Sequence, residues 1–237
     1  MMNSDNTQEF LDLFRRLETL IRTKHDLGKD TSPVAWLIKN QQSRYGNISA
    51  ELNYCREVRN LLSHNPKLKE GYLVKPSDAM LETLRSTISR IENPPLVLSA
   101  GIGIGKVFWR EMEDRVRPAM IEMAEKSYTH VPILDDGKVV GVFGEDTLLS
   151  CLIAEEIFEI SDDTRFSDIG GYLPLEVHAS ESFRFISKLT TVGDAASLFS
   201  NAQRKADRIG MMFVTEDGRP SQRILGIVTP WDLSAYL

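Results

Sequence analysis

Over the first 93 positions apolar residues recur at spacings of three and four, with almost no β-branched alternation. This pattern predicts helices joined by short turns. Phe10, Leu13, Phe14, Leu17, Leu20 and Ile21 form one apolar stripe that Gly28 ends. A shorter helix is expected after Ser32-Pro33, carrying Trp36 and Leu37. A third follows Asn47 with Leu52, Cys55, Val58, Leu61 and Leu62, and it must stop near Asn65-Pro66. Proline drives the residue before it out of the helical region. A fourth opens at Pro76-Ser77-Asp78, carries Met80, Leu81, Leu84, Ile88 and Ile91, and ends at Asn93-Pro94-Pro95, where a domain boundary is expected.

Beyond that point the pattern changes to helices alternating with short apolar strands, which predicts α/β units. A helix with Ala119, Met120 and Met123 precedes a strand from His130 to Leu134, a turn at Asp135-Asp136-Gly137, a strand from Val139 to Phe143 and a helix from Glu145. The same order returns further on. Thr191 caps a helix bearing Ala195, Leu198, Phe199 and Ala202, then come a strand from Met211 to Val214, a turn at Glu216-Asp217-Gly218, a strand from Ile224 to Val228 and a final short helix. The predicted fold class is α+β. An all-α domain spans residues 1–93, and a pair of α/β repeats spans 96–237, with repeat one at about 96–156 and repeat two at about 165–237.

The repeats share a hydrophobic-turn-acid stretch, Gly141-Val142-Phe143-Gly144-Glu145-Asp146-Thr147 in one and Gly226-Ile227-Val228-Thr229-Pro230-Trp231-Asp232 in the other. Only the second has both a hydroxyl and a carboxylate. A helix starting just after Val228 would offer free N–H groups and a dipole to a phosphate. Thr229 could add its hydroxyl, and Asp232 could accept from the hydroxyls of a ribose. Ile209 and Met211 on the neighbouring strand are placed to flank a base, while Gly226 and Ile227 lead into the turn. Thr229 and Asp232 would equally serve as caps of the last helix. With Gly144 and Thr147 in the corresponding places, the first copy is expected to be scaffold.

Tyr128-Thr129-His130-Val131-Pro132-Ile133-Leu134-Asp135-Asp136-Gly137-Lys138-Val139-Val140-Gly141-Val142 and Gly226-Ile227-Val228-Thr229-Pro230-Trp231-Asp232-Leu233 resemble a tandem pair of cystathionine-β-synthase (CBS) domains. The resemblance implies a regulatory module that binds AMP, ATP or a related adenosyl ligand between strand and helix. Gly101-Ile102-Gly103-Ile104-Gly105-Lys106 lacks the spacing of a phosphate-binding loop and is expected to be a flexible lead into the first repeat. Cys55 and Cys151 are read as buried hydrophobes, with no metal site and no covalent cofactor expected.

One cluster in the helical part has the ingredients of acid–base chemistry. Arg56, Asn60 and His64 are spaced by four on one helix face, with Arg59 and Ser63 beside them. Imidazole can move protons at neutral pH and guanidinium can hold a phosphate. The stretch Arg59-Asn60-Leu61-Leu62-Ser63-His64 resembles the Arg-Asn-x-x-x-His motif of HEPN domains. That resemblance implies metal-independent RNA cleavage or RNA binding by a paired helical domain. Arg59 would then hold the phosphate, His64 act as acid or base and Asn60 orient them. A histidine in a last helical turn is also favoured by the dipole alone.

Charge refines the picture. The net charge is −6, but residues 1–93 hold 14 Lys and Arg against 12 Asp and Glu, leaving 14 against 22 beyond. The balance of the front part is far from that of a strong nucleic-acid binder. No apolar run approaches the ~20 residues of a membrane span, and the start lacks the features of a signal peptide, so a cytoplasmic location away from membranes is expected. The joint expectation is a homodimer whose repeat pair senses an adenine nucleotide and controls a helical domain acting on RNA. The alternative is a non-enzymatic sensing and dimerisation module whose helices dock a protein partner.

Overall fold

The computed structural model describes residues 6–41, 48–64, 72, 74–154, 159–202 and 208–234, with the His64 side chain outside the described set. The chain is α+β and divides into two compact units between Pro95 and Leu96. In the first unit, α1 (Asn6–Lys24), α2 (Pro33–Asn40), α3 (Ser49–His64) and α4 (Asp78–Glu92) enclose one apolar core. Phe10, Phe14, Leu17 and Ile21 are buried at helical spacing, against Val34 and Leu37 of α2 and Leu81, Leu84, Ile88 and Ile91 of α4. Each such side chain contributes about 1.5–3 kcal/mol of hydrophobic stabilisation. Ser77 caps α4 by accepting from the Met80 N–H at 3.3 Å. On α3 the buried line is Leu52, Cys55 and Leu62, and Leu61 faces solvent. A spacing of nine from Leu52 puts it off the stripe. The expected stop of α3 at Asn65-Pro66 lies outside the described residues.

The second unit holds two sheets. The smaller orders β2 (Arg110–Glu111), β3 (His130–Asp135) and β4 (Lys138–Gly144), with β2 parallel and β4 antiparallel to β3. The larger orders β1 (Ile102–Gly103), β7 (Gly226–Val228), β6 (Ile209–Thr215) and β5 (Ser182–Ser187). Helix α5 (Val116–Lys126) precedes β3, α6 (Glu145–Ile153) follows β4, and α7 (Val192–Asn201) precedes β6. Thr191 caps α7 by accepting from the Asp194 N–H at 3.1 Å.

Two expectations need correction. Residues 101–106 are not a flexible lead: Ile102 and Gly103 pair with Ile227 and Gly226 of the other repeat, and residues 104–106 form a 3₁₀ turn. The approach is close enough that a Cβ on Gly101 would lie 2.6 Å from the Ile227 carbonyl oxygen, and one on Gly226 would strike the Ile102 carbonyl oxygen. Where a final helix was expected, residues 229–234 form three successive i to i+3 turns. Pro230, without an N–H, and the Asp232 cap on Thr229 favour this tighter winding.

Candidate functional site

A cleft of about 970 Å³ opens within the second unit, between the two sheets. Thr229, Asp232, Ile227, Ile209 and Met211 all line it, as do Glu145 and Asp146 from the first copy of the repeated stretch. Gly226 does not line the cleft. It is buried under β1 and serves the strand pairing.

The repeated stretch builds the same local bond in both copies. Asp232 Oδ2 accepts from the Thr229 N–H at 2.7 Å and from the Thr229 hydroxyl at 2.8 Å. Thr147 Oγ1 accepts from the Gly144 N–H at 3.1 Å. Asp232 Oδ1 makes no hydrogen bond among the described residues and is available to a ligand hydroxyl. The backbone offers a phosphate less than the sequence suggested, because the Thr229 N–H is taken and Pro230 has none.

Cations fill that gap. Lys106 and Arg208 line the cleft and form no ion pair among the described residues. The carboxylates there are largely engaged: Asp232 with Thr229, Asp146 with the Ser180 hydroxyl, and Glu181 with His130. The His130–Glu181 pair ties β3 to the loop before β5, with side chains only 17% and 11% exposed. His130 Nδ1 meets Thr129 Oγ1 at 2.8 Å, so both ring nitrogens are occupied. Burial pushes the Glu181 carboxyl upward, but the hydrogen bond and charge of His130, with Arg208 and His178, hold it below the ordinary glutamate range. Gly210 leaves the room in which the Glu181 carboxylate lies, since a Cβ there would strike it.

Lys106, Arg208 and Glu181 were not legible as site residues. Lys106 sits in the stretch that failed the phosphate-loop spacing, and Arg208 and Glu181 belong to no motif.

The helical-unit cluster is differently placed. On α3, Arg59 donates to Glu18 Oε2 at 3.1 Å and to Asn60 Oδ1 at 3.1 Å, and its guanidinium lies 5.5 Å from the centroid of Phe14. Arg56 donates to Asn53 Oδ1 at 2.8 Å. Arg59 and Asn60 are therefore together, with a carboxylate already on the guanidinium. His64 ends the helix, and its side chain lies outside the described residues. Among the described residues no group of His, Cys, Asp and Glu is placed to hold a metal ion, and no helix is long and apolar enough to cross a membrane.

Comparison with known proteins bears on the second unit. Residues 111–154 match the family model of the CBS domain. No curated protein matches the chain. Among solved structures the chain is similar to CBSX2 in complex with AMP, at 17% identity over 60% of this chain and 94% of that one, with a TM-score of 0.42. It is similar to a hemolysin-like protein containing a CBS domain from Oenococcus oeni PSU, at 15% identity over 61% and 91%, with a TM-score of 0.41. It is also similar to CbpB in complex with c-di-AMP, at 13% identity over 59% and 82%, with a TM-score of 0.44. The matched stretch contains α5, β3, β4 and α6, and over these residues the chain is similar to a CBS domain.

Proposed function

We propose that residues 96–237 act as a tandem CBS pair that binds an adenine nucleotide, AMP, ATP or a related adenosyl ligand, as a regulatory signal. The observation that carries this reading is the cleft, where Thr229 and Asp232 share one cavity with two cations, Lys106 and Arg208, that form no ion pair among the described residues. A cavity of about 970 Å³ has room for a nucleotide. Asp232 Oδ1 would accept from the ribose, Thr229 would turn its hydroxyl toward phosphate, and Lys106 and Arg208 would neutralise it. No covalent cofactor has a part in this scheme. The ligand would act on a cytoplasmic homodimer by preferring one of two arrangements, because a ligand shifts an equilibrium only by its differential affinity.

Calorimetric titration of AMP, ATP and S-adenosylmethionine into wild type and Asp232→Ala tests the reading. Binding that weakens at least tenfold in the variant supports it. No binding by any of the three, or an unchanged variant, removes it.

For the output, two readings follow from the sequence: metal-independent action on RNA by Arg59, Asn60 and His64 in a HEPN-like domain, and docking of a protein partner by the helices. The Glu18–Arg59 ion pair favours docking. A carboxylate on the guanidinium repels phosphate and must be displaced before RNA can bind. Cutting of single-stranded RNA without metal, lost in His64→Ala, would reverse that preference. An inert protein with ligand binding intact would support docking.

A further inference from the structure

The β3–β4 hairpin is joined to the second repeat in two different ways. At its turn and along β4 the joint is made by backbone: the Ile224 N–H donates to the Gly137 carbonyl at 2.9 Å, and the Val142 N–H to the Leu173 carbonyl at 2.8 Å. The Arg223–Asp136 ion pair lies beside the turn. At the opposite end the joint is made by side chains, where His130 of β3 meets Glu181 and Asp146 in the first turn of α6 accepts from the Ser180 hydroxyl. None of Asp136, Gly137, Val142, Leu173, Arg223 and Ile224 lines the cleft, whereas His130, Asp146, Ser180 and Glu181 all do.

The second-repeat partners at that end belong to one short segment. His178, Ala179, Ser180 and Glu181 take part in no backbone–backbone hydrogen bond among the described residues. Before them Val177 closes a 3₁₀ turn on Pro174, and after them the Ser182 N–H donates to the Arg208 carbonyl at 2.7 Å, the first rung between β5 and β6. The segment is thus a strap that can leave the first repeat without breaking any backbone pairing. Its anchors are unequal. Ser180 is exposed, so water competes for its bond to Asp146. The other anchor is sheltered: the His130 and His178 rings meet the Phe183 ring edge to face at 5.8 and 5.1 Å, on either side of the Glu181 contact in sequence. Although burial opposes the Glu181 charge, the hydrogen bond and charge of His130, with Arg208 and His178, keep the carboxylate ionised.

We infer that residues 178–181 are a latch between the two repeats: the backbone-bonded side of the hairpin stays fixed, while the strap parts from Asp146 and His130 and widens the cleft. Segments that move on binding come from the low end of a protein's range of local stabilities, where few backbone hydrogen bonds must be broken. Release of the strap leaves the Ser182 rung as a bare end that frays, and leaves the Ile224 bond on the far side untouched. The latch does not depend on the identity of the ligand, so it stands or falls apart from the nucleotide reading.

Amide hydrogen exchange read by NMR on wild type and Ser180→Ala/Glu181→Ala tests the latch. Exchange of the Ser182 N–H should be about tenfold faster in the double variant and that of the Ile224 N–H unchanged. Acceleration of both amides alike, or of neither, overturns the inference. Ser180→Ala alone, at an exposed position, should shift Ser182 in the same sense by less, and it decides the matter if the double variant does not fold. Asp136→Ala, which cuts the ion pair at the turn, should leave Ser182 unchanged. For the cleft itself, the fluorescent nucleotide 2-aminopurine riboside 5′-monophosphate, displaced by excess AMP in stopped flow, should leave the double variant about tenfold faster than wild type. An equal release rate overturns the claim that the strap governs the cleft. A wild-type protein that binds neither nucleotide removes the nucleotide reading, and the exchange rates then decide the latch by themselves.

Discussion

Asp232 accepts two hydrogen bonds from Thr229 through a single oxygen, Oδ2, one from the backbone N–H and one from the hydroxyl. The carboxylate is thus divided between holding its own turn and facing the cleft with Oδ1. In the first copy Thr147 performs only the holding task, accepting from the Gly144 N–H and lying buried away from the cleft. The two copies share a structural bond, and the second adds a free oxygen to it.

Thr147→Ala should therefore lower stability by about 1 kcal/mol, the usual cost of a lost cap, and leave AMP affinity unchanged. Asp232→Ala should cost a similar amount and weaken AMP as well. Urea melts and calorimetry on the two variants separate these effects. Equal AMP affinity in both would make Asp232 purely structural.

Glycines at close approaches should be the least replaceable residues of the second unit. A Cβ on Gly141 would lie 2.5 Å from the Leu173 carbonyl oxygen, which accepts the Val142 N–H at 2.8 Å. Backbone cannot rotate aside as a side chain can, so Gly141→Ala and Gly226→Ala should each lose about 2–3 kcal/mol. Gly28→Ala, with open space around it, serves as the control and should be nearly neutral.

Acid should act through Glu181. Its folded pKa is depressed, so its contribution is complete above the ordinary glutamate pKa and fades as pH falls through the lower folded value. Wild type should then lose stability more steeply than Glu181→Gln below about pH 4.5. Thermal melts between neutral pH and pH 3 would show it, and parallel curves would rule it out.

Cys55 should resist modification in the folded protein. Burial, with the Glu51 charge, pushes its thiol pKa up to about 11, and the side chain is 1% exposed. At pH 8 iodoacetamide should label it only after unfolding, as mass spectrometry of native and urea-treated samples would reveal.

The helical stripes and the strand–turn–strand units were legible for different reasons: burial in α1 follows the helical period at Phe10, Phe14, Leu17 and Ile21, while β3 is a short continuous apolar run, buried from Val131 to Leu134, closed by a turn. Leu61 shows the limit of that reading, since an apolar residue in a helical pattern need not face the core. Within the candidate site, Thr229 and Asp232 stand in a recognisable local order. Lys106, Arg208 and Glu181 do not, because they converge through sheet pairing and loop placement that no short window contains. The register of β1 against β7 carries the chain from one repeat to the other, and only that crossing brings Lys106 to the cleft.

Gly144 stands opposite His130 in the β3–β4 register, where an added Cβ would come within 3.1 Å of the Thr129 carbonyl oxygen and 3.2 Å of the His130 ring. The absence of a side chain at position 144 thus leaves room for the His130 ring, whose Nε2 meets Glu181. A threonine introduced at position 144 would not regenerate a second phosphate turn. It would crowd the imidazole and loosen the bond to Glu181, so symmetry between the copies can be restored only by giving up the clasp that joins them.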